Sequence, residues 1–459
     1  MSGGPGGSCL GHLVGRGVAR LYRLDGVRFE SGHCTLTRHD EHMEILAVDE
    51  IGNVRHWWEG AGRRGSESRD PEGSTEAAVS PGRWAIKGVP TSITAFVGRA
   101  RDGPSERPLV VYSFSEFERL FGGLWNGSRL GFSVRDFFRN GGATAVIART
   151  HATGGALSEA KRGLDLLDQA DHINMLVMPP YETDDTVGPE VQKAAAAYCQ
   201  RRRAMLLVDP PPTWDTMSAA EIAEGFGGSS VAAAVALARE NVALYFPRLR
   251  QRNPLQGRVE GFAPSGAVAG VIARMDRQRG FWKAPAGPEA VLIGDSDLSA
   301  QFTEPEIGML NRRGINCLRI VPGRRIIVWG SRTLATDNML APEWRYLAVR
   351  RTALYLEESV VRGTRWAEFE PNDATLWKNI RRDVAAFMNE LFLQGAFQGH
   401  TPSESYYIKC DEETTTQADI DGGVVNILVG FAPIKRAEFV VLHVKQVAGR
   451  ARSQASDGG

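Results

Sequence analysis

The sequence lacks the features typical of secreted disulfide-rich, zinc-binding and membrane-spanning proteins. It has only five cysteines in 459 residues, and no two of them form a CxxC pair. A scattered, odd number of cysteines argues against a disulfide framework or a four-cysteine zinc site and favours folding in a reducing compartment. No apolar run reaches the roughly 18 to 20 residues of a spanning helix, and the amino terminus lacks a signal-peptide stretch. We therefore expect a soluble chain with no direct membrane insertion.

An excess of charge of either sign is also absent. Lysine and arginine together number 54, aspartate and glutamate together number 54, and the formal net charge is zero. Such a chain has no overall attraction to nucleic acid, so we expect no nucleic-acid partner, and it can pack against its own copies without strong repulsion. Its 42% hydrophobic and 24% charged residues are ordinary for a soluble globular protein, and its length allows two or three domains.

The first 84 residues differ in composition from the rest of the chain. Residues 1–58 contain short β-rich pieces with a turn at residues 50–52, and this pattern predicts an atypical N-terminal module with a small antiparallel sheet. Residues 59–84 are rich in Gly, Ser, Pro and mixed charge and have few large apolar side chains. Such a segment cannot offset the entropy of ordering, so we predict a flexible linker.

The middle of the chain alternates short apolar runs with helical patterns. The strand candidates are the runs INMLVM, AMLLVD and NVALYFP. Helices are predicted over 189–203, 218–225, 229–239 and 265–279. The second of these begins with a capping box formed by Ser218 and Glu221. Apolar strands separated by helices imply a parallel sheet covered on both faces, so we predict an α/β domain over residues 85–335.

The last part of the chain predicts an α+β domain over residues 336–447, with a disordered tail at 448–459. Helices are expected over 343–361 and 373–394, and Gly395 stands at the usual helix stop. Three strand candidates follow, namely YYIKC, VNILVGF and EFVVLHVKQV. The last one alternates, with Val440, Leu442 and Val444 on one face and Phe439, Val441 and His443 on the other.

Several segments, taken together and in this order, resemble phage contractile tail sheath proteins. They are GVPTSITAFVGRARDGP, SFSEFERLFGGL, FFRNGGATAVIAR, SGAVAGVIARMDRQRGFWKAPAG, LNRRGINCLRI, IIVWGSRTL, YLAVRRTALYLEESV, FEPNDATLW and VGFAPIKRAEFVVLHVKQ, and they span roughly residues 85–447. The positions that carry the family pattern are Gly88, Pro90, Phe96, Gly98, Phe121, Gly122, Gly141, Gly142, Trp282, Glu357, Glu358, Glu370, Pro371 and Asn372.

The resemblance implies a structural subunit that polymerises helically around an inner tube and contracts to drive that tube through a target envelope. It implies a middle domain similar to a subtilisin-like α/β sandwich without its chemistry, followed by an α+β carboxyl-terminal sheath domain. The implied partners are further copies of the chain, an inner tail tube protein, a baseplate, a tail terminator and sheath paralogues. The implied location is the tail of a virion or phage-like particle assembled in the cytoplasm.

The resemblance also implies that arms from neighbouring subunits complete each carboxyl-terminal sheet. A terminal strand has unpaired N–H and C=O groups, so lending it to a neighbour forms a strong joint. The amino-terminal arm, which follows Ser80-Pro81-Gly82 in the family pattern, is expected to be shortened or missing, because Gly88-Val89-Pro90 comes almost at once. The carboxyl-terminal arm is expected at 438–447. Its expected interface residues are Phe439, Val440, Val441, Leu442 and Val444.

A subtilisin-like hydrolase is the alternative function. His172, before one apolar strand, and Asp209, at the end of the next, are compatible with triad members, but the sequence has no G-x-S-x-G elbow. The basic run at 201–203 falls at a helix end, where cations complement the helix dipole. The glycine pairs lack the spacing of phosphate-binding loops. We expect no catalytic residue.

Metal binding is the other alternative. Cys34, His39 and His42 lie close in sequence, and residues 411–416 read DEETTT. A strand would place Cys34 and His39 on opposite faces, and the carboxylate spacing does not match an EF-hand. We therefore expect no metal site and no cofactor. Contraction would instead draw on complementary surface charges, for which the candidates are 182–185, 248–252, 272–279 and 411–413.

Overall fold

A computed structural model gives the fold. It describes residues 34–39, 42–48, 54–60, 63–67, 85–151, 155–181, 186–294, 296–323, 325–336, 342–434 and 440–449. The chain divides into two compact units, Met1–Ala78 and Val79–Gly459. Within the described ranges, no helix is both long enough and apolar enough to span a membrane.

The first unit contains a four-stranded antiparallel sheet with its strands in sequence order. The strands are β1 (Cys34–His39), β2 (His42–Val48), β3 (Val54–Gly60) and β4 (Arg63–Glu67). Strand β4 pairs with the end of β3 inside the segment 59–84, which we predicted to be a linker. The role of residues 59–84 as a linker stays a prediction.

The second unit begins with a large α/β region. Its strands are β5 (Thr94–Arg99), β6 (Leu109–Val111), β7 (Ala145–Thr150), β8 (Met175–Val177), β9 (Met205–Val208), β10 (Val242–Phe246), β11 (Leu249–Arg252), β12 (Val259–Phe262), β13 (Ser296–Leu298), β14 (Ile315–Val321) and β15 (Arg325–Val328). Its helices are α1 (Phe114–Phe121), α2 (Leu130–Arg139), α3 (Ala156–Leu167), α4 (Pro189–Arg201), α5 (Ala219–Gly225), α6 (Ser230–Ala234), α7 (Ser265–Arg279) and α8 (Glu304–Arg312).

Eight of these strands form one sheet in the order β15-β14-β10-β9-β8-β5-β7-β6. The neighbours from β14 to β7 are parallel, and only the two outermost strands run antiparallel. All five residues of the central strand β10 are buried. Tyr245 belongs to the core beneath α2 and α7, while Leu244 and Phe246 belong to the core beneath α4, α5 and α8. The predicted parallel sheet with helices on both faces is confirmed.

Local sequence signals predicted the positions of most helices that we assigned in this region. Helix α7 has the predicted bounds of 265–279, and α5 begins with the predicted capping box. The predicted helix over 229–239 is too long, since α6 ends at Ala234 and a separate 3₁₀ turn follows at Arg239–Asn241. Strands β12, β11 and β13 form a small antiparallel sheet beside the large one.

The last part of the unit packs helices on a three-stranded antiparallel sheet. Its elements are α9 (Leu347–Gly363), α10 (Ala374–Leu393), α11 (Pro402–Ser405), β16 (Tyr406–Lys409), α12 (Gln417–Asp421), β17 (Val424–Phe431) and β18 (Val440–Val447). The sheet order is β16-β17-β18. Helix α10 is capped by Asp373 and is followed by Gly395 at φ +75°, the left-handed conformation of the predicted stop. The division predicted near residue 335 falls inside the compact unit and stays a prediction.

Candidate functional sites: an assembly edge and a domain junction

Strand β18 is an outer strand of the carboxyl-terminal sheet. It pairs along all eight residues with β17, and Ala448 N–H donates to Gly423 O at 2.7 Å just beyond the pairing. Successive residues of an antiparallel strand direct their backbone groups to opposite sides. Val441, Lys445 and Val447 therefore direct their N–H and C=O groups away from β17, and β18 presents an edge that a further strand can pair with.

The predicted arm residues divide between the core and this edge. Val440, Leu442 and Val444 are buried, and they pack with the residues of α9 and α10. Val441 is half-buried on the opposite face. Phe439 lies outside the described residues. The strand pairs here with β17 of its own chain, and its exchange between subunits stays a prediction.

An exposed phenylalanine lies next to the end of β18. Phe369 is 86% exposed and is the last residue of a 3₁₀ turn, Arg365–Phe369. The carbonyl oxygen of the next residue, Glu370, accepts a hydrogen bond from Gly449 N–H at 3.0 Å. Val447 is 59% exposed on the same strand end. The sequence analysis did not single out Phe369, although it directly precedes Glu370, Pro371 and Asn372, three consecutive positions of the family pattern.

The family-pattern residues beside it hold the loop in place. Pro371 bridges to Gly449, and Asn372 is buried. The Asn372 amide donates to Val424 O at 3.0 Å and accepts from Trp377 Nε1 at 2.8 Å. The loop is thus tied both to β17 and to the first turn of α10, which fixes the position of Phe369.

A second site is the junction between α9 and the large sheet. Residues 85–91, which we call the strap, have no regular secondary structure and contact α9. Val89 N–H donates to Ser359 Oγ at 3.1 Å, and Ile86 is buried against Gly363. A Cβ atom at Gly88 would lie 1.8 Å from Tyr355 Oη, so only glycine fits there. The strap therefore contacts α9 along its length.

Two glutamates of the family pattern lie on α9 within a cluster of arginines. Glu358 pairs with Arg203 at 3.0 Å and with Arg362 at 2.6 Å, and these contacts hold its pKa below the usual range despite burial. Glu357 lies 3.5 Å from Arg203 and 4.0 Å from Arg350. Burial raises the pKa of Glu357. The cluster joins α9 to the end of α4.

One ion pair at this junction is fully buried. The Arg351 guanidinium of α9 donates to both carboxylate oxygens of Asp276 in α7, at 2.8 and 2.5 Å. It also donates to Thr91 O at 3.0 Å. Side-chain exposure is 5% for the arginine and 3% for the aspartate. The pair fixes α9 and the end of the strap to α7.

The remaining family-pattern positions are packing positions. The rings of Phe96 and Phe137 pack edge-to-face, with their centroids 5.4 Å apart. A Cβ atom at Gly142 would lie 2.3 Å from the Phe137 ring. Trp282 packs against Phe281, with their ring centroids 4.9 Å apart. The others are buried, cap a helix or lie in a turn, namely Gly98, Phe121, Gly122 and Gly141.

The geometry does not support the hydrolase alternative. His172 precedes β8 and Asp209 follows β9. Because these strands are parallel neighbours, His172 lies at the amino-terminal end of the strands and Asp209 lies at their carboxyl-terminal end. Asp209 instead accepts from Ser265 Oγ at 2.7 Å and Ser265 N–H at 2.9 Å at the start of α7. Burial raises the pKa of Asp209 to about 6. It serves as a cap for that helix.

The other charged candidates have structural partners. Arg201 and Arg202 both pair with Asp168, which neutralises much of the basic run. Arg248 is buried and pairs with Asp215, so it cannot supply surface charge for contraction. Residues 182–185 lie outside the described residues. In the part of the chain that the structure describes, no group of three or more His, Cys, Asp or Glu side chains could hold a metal ion.

Comparison with known proteins is consistent with this architecture. Residues 151–334 match the phage tail sheath protein central domain, and residues 341–446 match the phage tail sheath C-terminal domain. A Pseudomonas aeruginosa (strain UCBPP-PA14) protein assigned as a prophage major tail sheath protein is 23% identical over 305 residues, which cover 64% of this chain and 70% of the relative.

Solved structures give the same result for the three-dimensional fold. A chain of the anti-feeding prophage baseplate is 28% identical with a TM-score of 0.63, covering 82% of this chain and 98% of that one. A chain of the contracted helical sheath of the anti-feeding prophage is 28% identical with a TM-score of 0.62, covering 82% and 99%. A sheath tail protein from Listeria innocua shares the fold at 10% identity, with a TM-score of 0.57 and coverage of 79% and 96%.

Proposed function

The chain belongs to the phage tail sheath family, and from that premise we propose how it assembles and acts. It is a structural subunit of a contractile sheath and a component of a phage tail or phage-like particle. Its copies form a helical oligomer that associates with a baseplate. In our proposal they enclose an inner tail tube protein, end at a tail terminator, and assemble in the cytoplasm before contraction drives the tube through a target envelope.

The outer edge of β18 carries this proposal. Lending or accepting a strand along this edge forms main-chain hydrogen bonds that depend little on side-chain identity, and such a joint tolerates rotation between subunits. Head-to-tail contacts of this kind generate a helix when they do not close into a ring. The exposed Phe369, next to the end of the strand, supplies an apolar anchor for the neighbouring subunit.

We propose that the sheath acts without catalysis. The two residues that suggested a triad lie at opposite edges of the sheet, and Asp209 is engaged with Ser265. The large sheet keeps an α/β architecture, and its likeness to a subtilisin-like sandwich stays a prediction. Sheath paralogues are partners in this proposal, because we expect the amino-terminal arm of the family pattern to be shortened or missing.

The edge can be tested by a single proline. Lys445 directs its N–H away from β17, so Lys445→Pro removes an outward donor while the bonds to β17 remain. We expect the variant to stay a folded monomer but to form few or no tubes when co-expressed with the inner tube protein, as counted by negative-stain electron microscopy. Lys445→Ala is the matched control, because it removes the same side chain and keeps the N–H.

The outcome separates edge pairing from side-chain effects. Tubes from Lys445→Ala but not from Lys445→Pro support pairing along β18. Equal tube formation by both variants would refute it, and loss in both would assign the effect to the lysine side chain instead. Thermal melting of each purified variant verifies that the monomer remains folded.

A further inference from the structure

Two asparagine–glycine pairs occur in the sequence, one at each end of α2. Asn126-Gly127 forms the turn before the helix, and Asn140-Gly141 follows its last residue. In such a pair the backbone nitrogen of the glycine can attack the side-chain amide of the asparagine, because glycine has no side chain to obstruct the approach. The two pairs have the same chemistry, so the fold decides whether either of them reacts.

The first pair lies open to the solvent. Asn126 is exposed and Gly127 is half-buried in a turn, which is closed by a bridge between Trp125 and Ser128. In that bridge the Ser128 N–H donates to Trp125 O at 3.3 Å. Within the described ranges, the Asn126 amide has no hydrogen-bond partner, and the Gly127 N–H donates to no backbone oxygen. Neither reacting group is therefore engaged elsewhere, and water reaches both.

The second pair is locked by the surrounding structure. Asn140 is 2% exposed. Its Nδ2 atom donates to Asp136 O at 2.8 Å, and its Oδ1 atom accepts from Ile293 N–H at 2.7 Å. The Gly141 N–H donates to Phe138 O at 3.1 Å. Three hydrogen bonds must open before the glycine nitrogen can reach the amide carbon at this site.

We propose that Asn126 is a modification site, at which the folded chain deamidates spontaneously while Asn140 is protected. The Gly127 nitrogen loses its proton and forms a bond to Cγ of Asn126. The Cγ–Nδ2 bond breaks, and the amide nitrogen leaves as ammonia. Water then opens the resulting succinimide ring at either of its two carbonyl groups. The products are aspartate and isoaspartate, and each adds a carboxylate to the turn.

The modification changes a part of the chain that is tied to the core. Isoaspartate adds one methylene group to the main chain between Trp125 and Ser128. The Ser128 Oγ atom accepts from Leu130 N–H at 3.1 Å at the start of α2, and the intervening Arg129 forms a buried ion pair with Glu260 at 3.0 Å. The added methylene group therefore lies immediately before a helix start that is fixed by a buried pair. The new carboxylate also gives the chain, whose formal net charge is zero, a negative charge.

Incubation of the purified full chain at pH 8.0 and 37 °C tests the proposal, with a parallel sample unfolded in urea. Liquid chromatography with mass spectrometry follows the asparagine, aspartate and isoaspartate forms of the two peptides over time. In the folded chain we expect Asn126 to deamidate about a hundredfold faster than Asn140, because three hydrogen bonds protect the second site. In urea the two rates should become similar, because both sites are then exposed.

Two variants assign the products to this position. Asn126→Gln keeps an amide but needs a larger ring that forms slowly, so its folded chain should accept few methyl groups from an isoaspartyl methyltransferase, whereas the aged wild type accepts many. Asn126→Asp provides the charge standard in ion-exchange chromatography. An unchanged Asn126 in the folded chain would overturn the proposal, as would equal rates at Asn126 and Asn140 in the folded chain or a lack of deamidation at both sites in urea.

Discussion

Removing one partner of the buried Arg351–Asp276 pair should destabilise the chain strongly. In Asp276→Ala the guanidinium keeps its bond to Thr91 O but loses both bonds to the carboxylate, while its side chain stays 5% exposed. An unpaired buried charge of this kind costs about 3–5 kcal/mol. The expected result is a clear drop in the urea midpoint of the purified chain, followed by tryptophan fluorescence.

A double replacement distinguishes the cost of an unpaired charge from the cost of lost packing. Asp276→Leu with Arg351→Met removes both charges and keeps apolar volume, and buried pairs replaced in this way are often neutral or gain about 1–4 kcal/mol. The double variant should therefore unfold closer to the wild type than Asp276→Ala does. A loss below about 1 kcal/mol in the single variant, which is the range of an exposed pair, would refute the reasoning.

Two further changes test the junction and the helix cap. Gly88→Ala should lower the thermal midpoint, because its Cβ would overlap Tyr355 and overpacking costs about 1–3 kcal/mol, whereas Gly188→Ala, with open space around it, should not. Asp209→Asn should flatten the pH dependence of stability, measured as denaturation midpoints at pH 5 and pH 8. The wild-type carboxyl, with a pKa of about 6 against an ordinary 3.8, loses roughly 3 kcal/mol of stabilisation as pH rises from below 3.8 to above 6, and about half of that loss falls between pH 5 and pH 8. Asp165→Asn, on an exposed helix face, serves as its control.

Local sequence signals predicted many of the elements because those elements depend on local physics. Helix α7 has its predicted bounds, and the alternation in β18 placed Val440, Leu442 and Val444 on the buried face. The prediction of one helix over 229–239 was wrong, because the helix propensity of its alanines does not extend the helix to residue 239. The chain instead forms a 3₁₀ turn that leads into β10.

The junction could not be read from local signals, because its contacts join distant parts of the chain. Val89 and Ser359 are separated by 270 residues, and His172 meets a carbonyl 82 residues earlier in the chain. The family resemblance marked Gly88, Pro90, Glu357 and Glu358 without giving a reason for them. The structure supplies the reason, since all four lie in the strap or in the helix that the strap crosses.

Helical cryo-electron microscopy of the chain co-expressed with its inner tube protein tests the central claim most directly. We expect hollow tubes in which the fold of residues 79–459 repeats helically around the inner tube and a strand of a neighbouring subunit lies along the outer edge of β18. A chain that stays monomeric with that partner present, and that hydrolyses esters or peptides, would contradict the account.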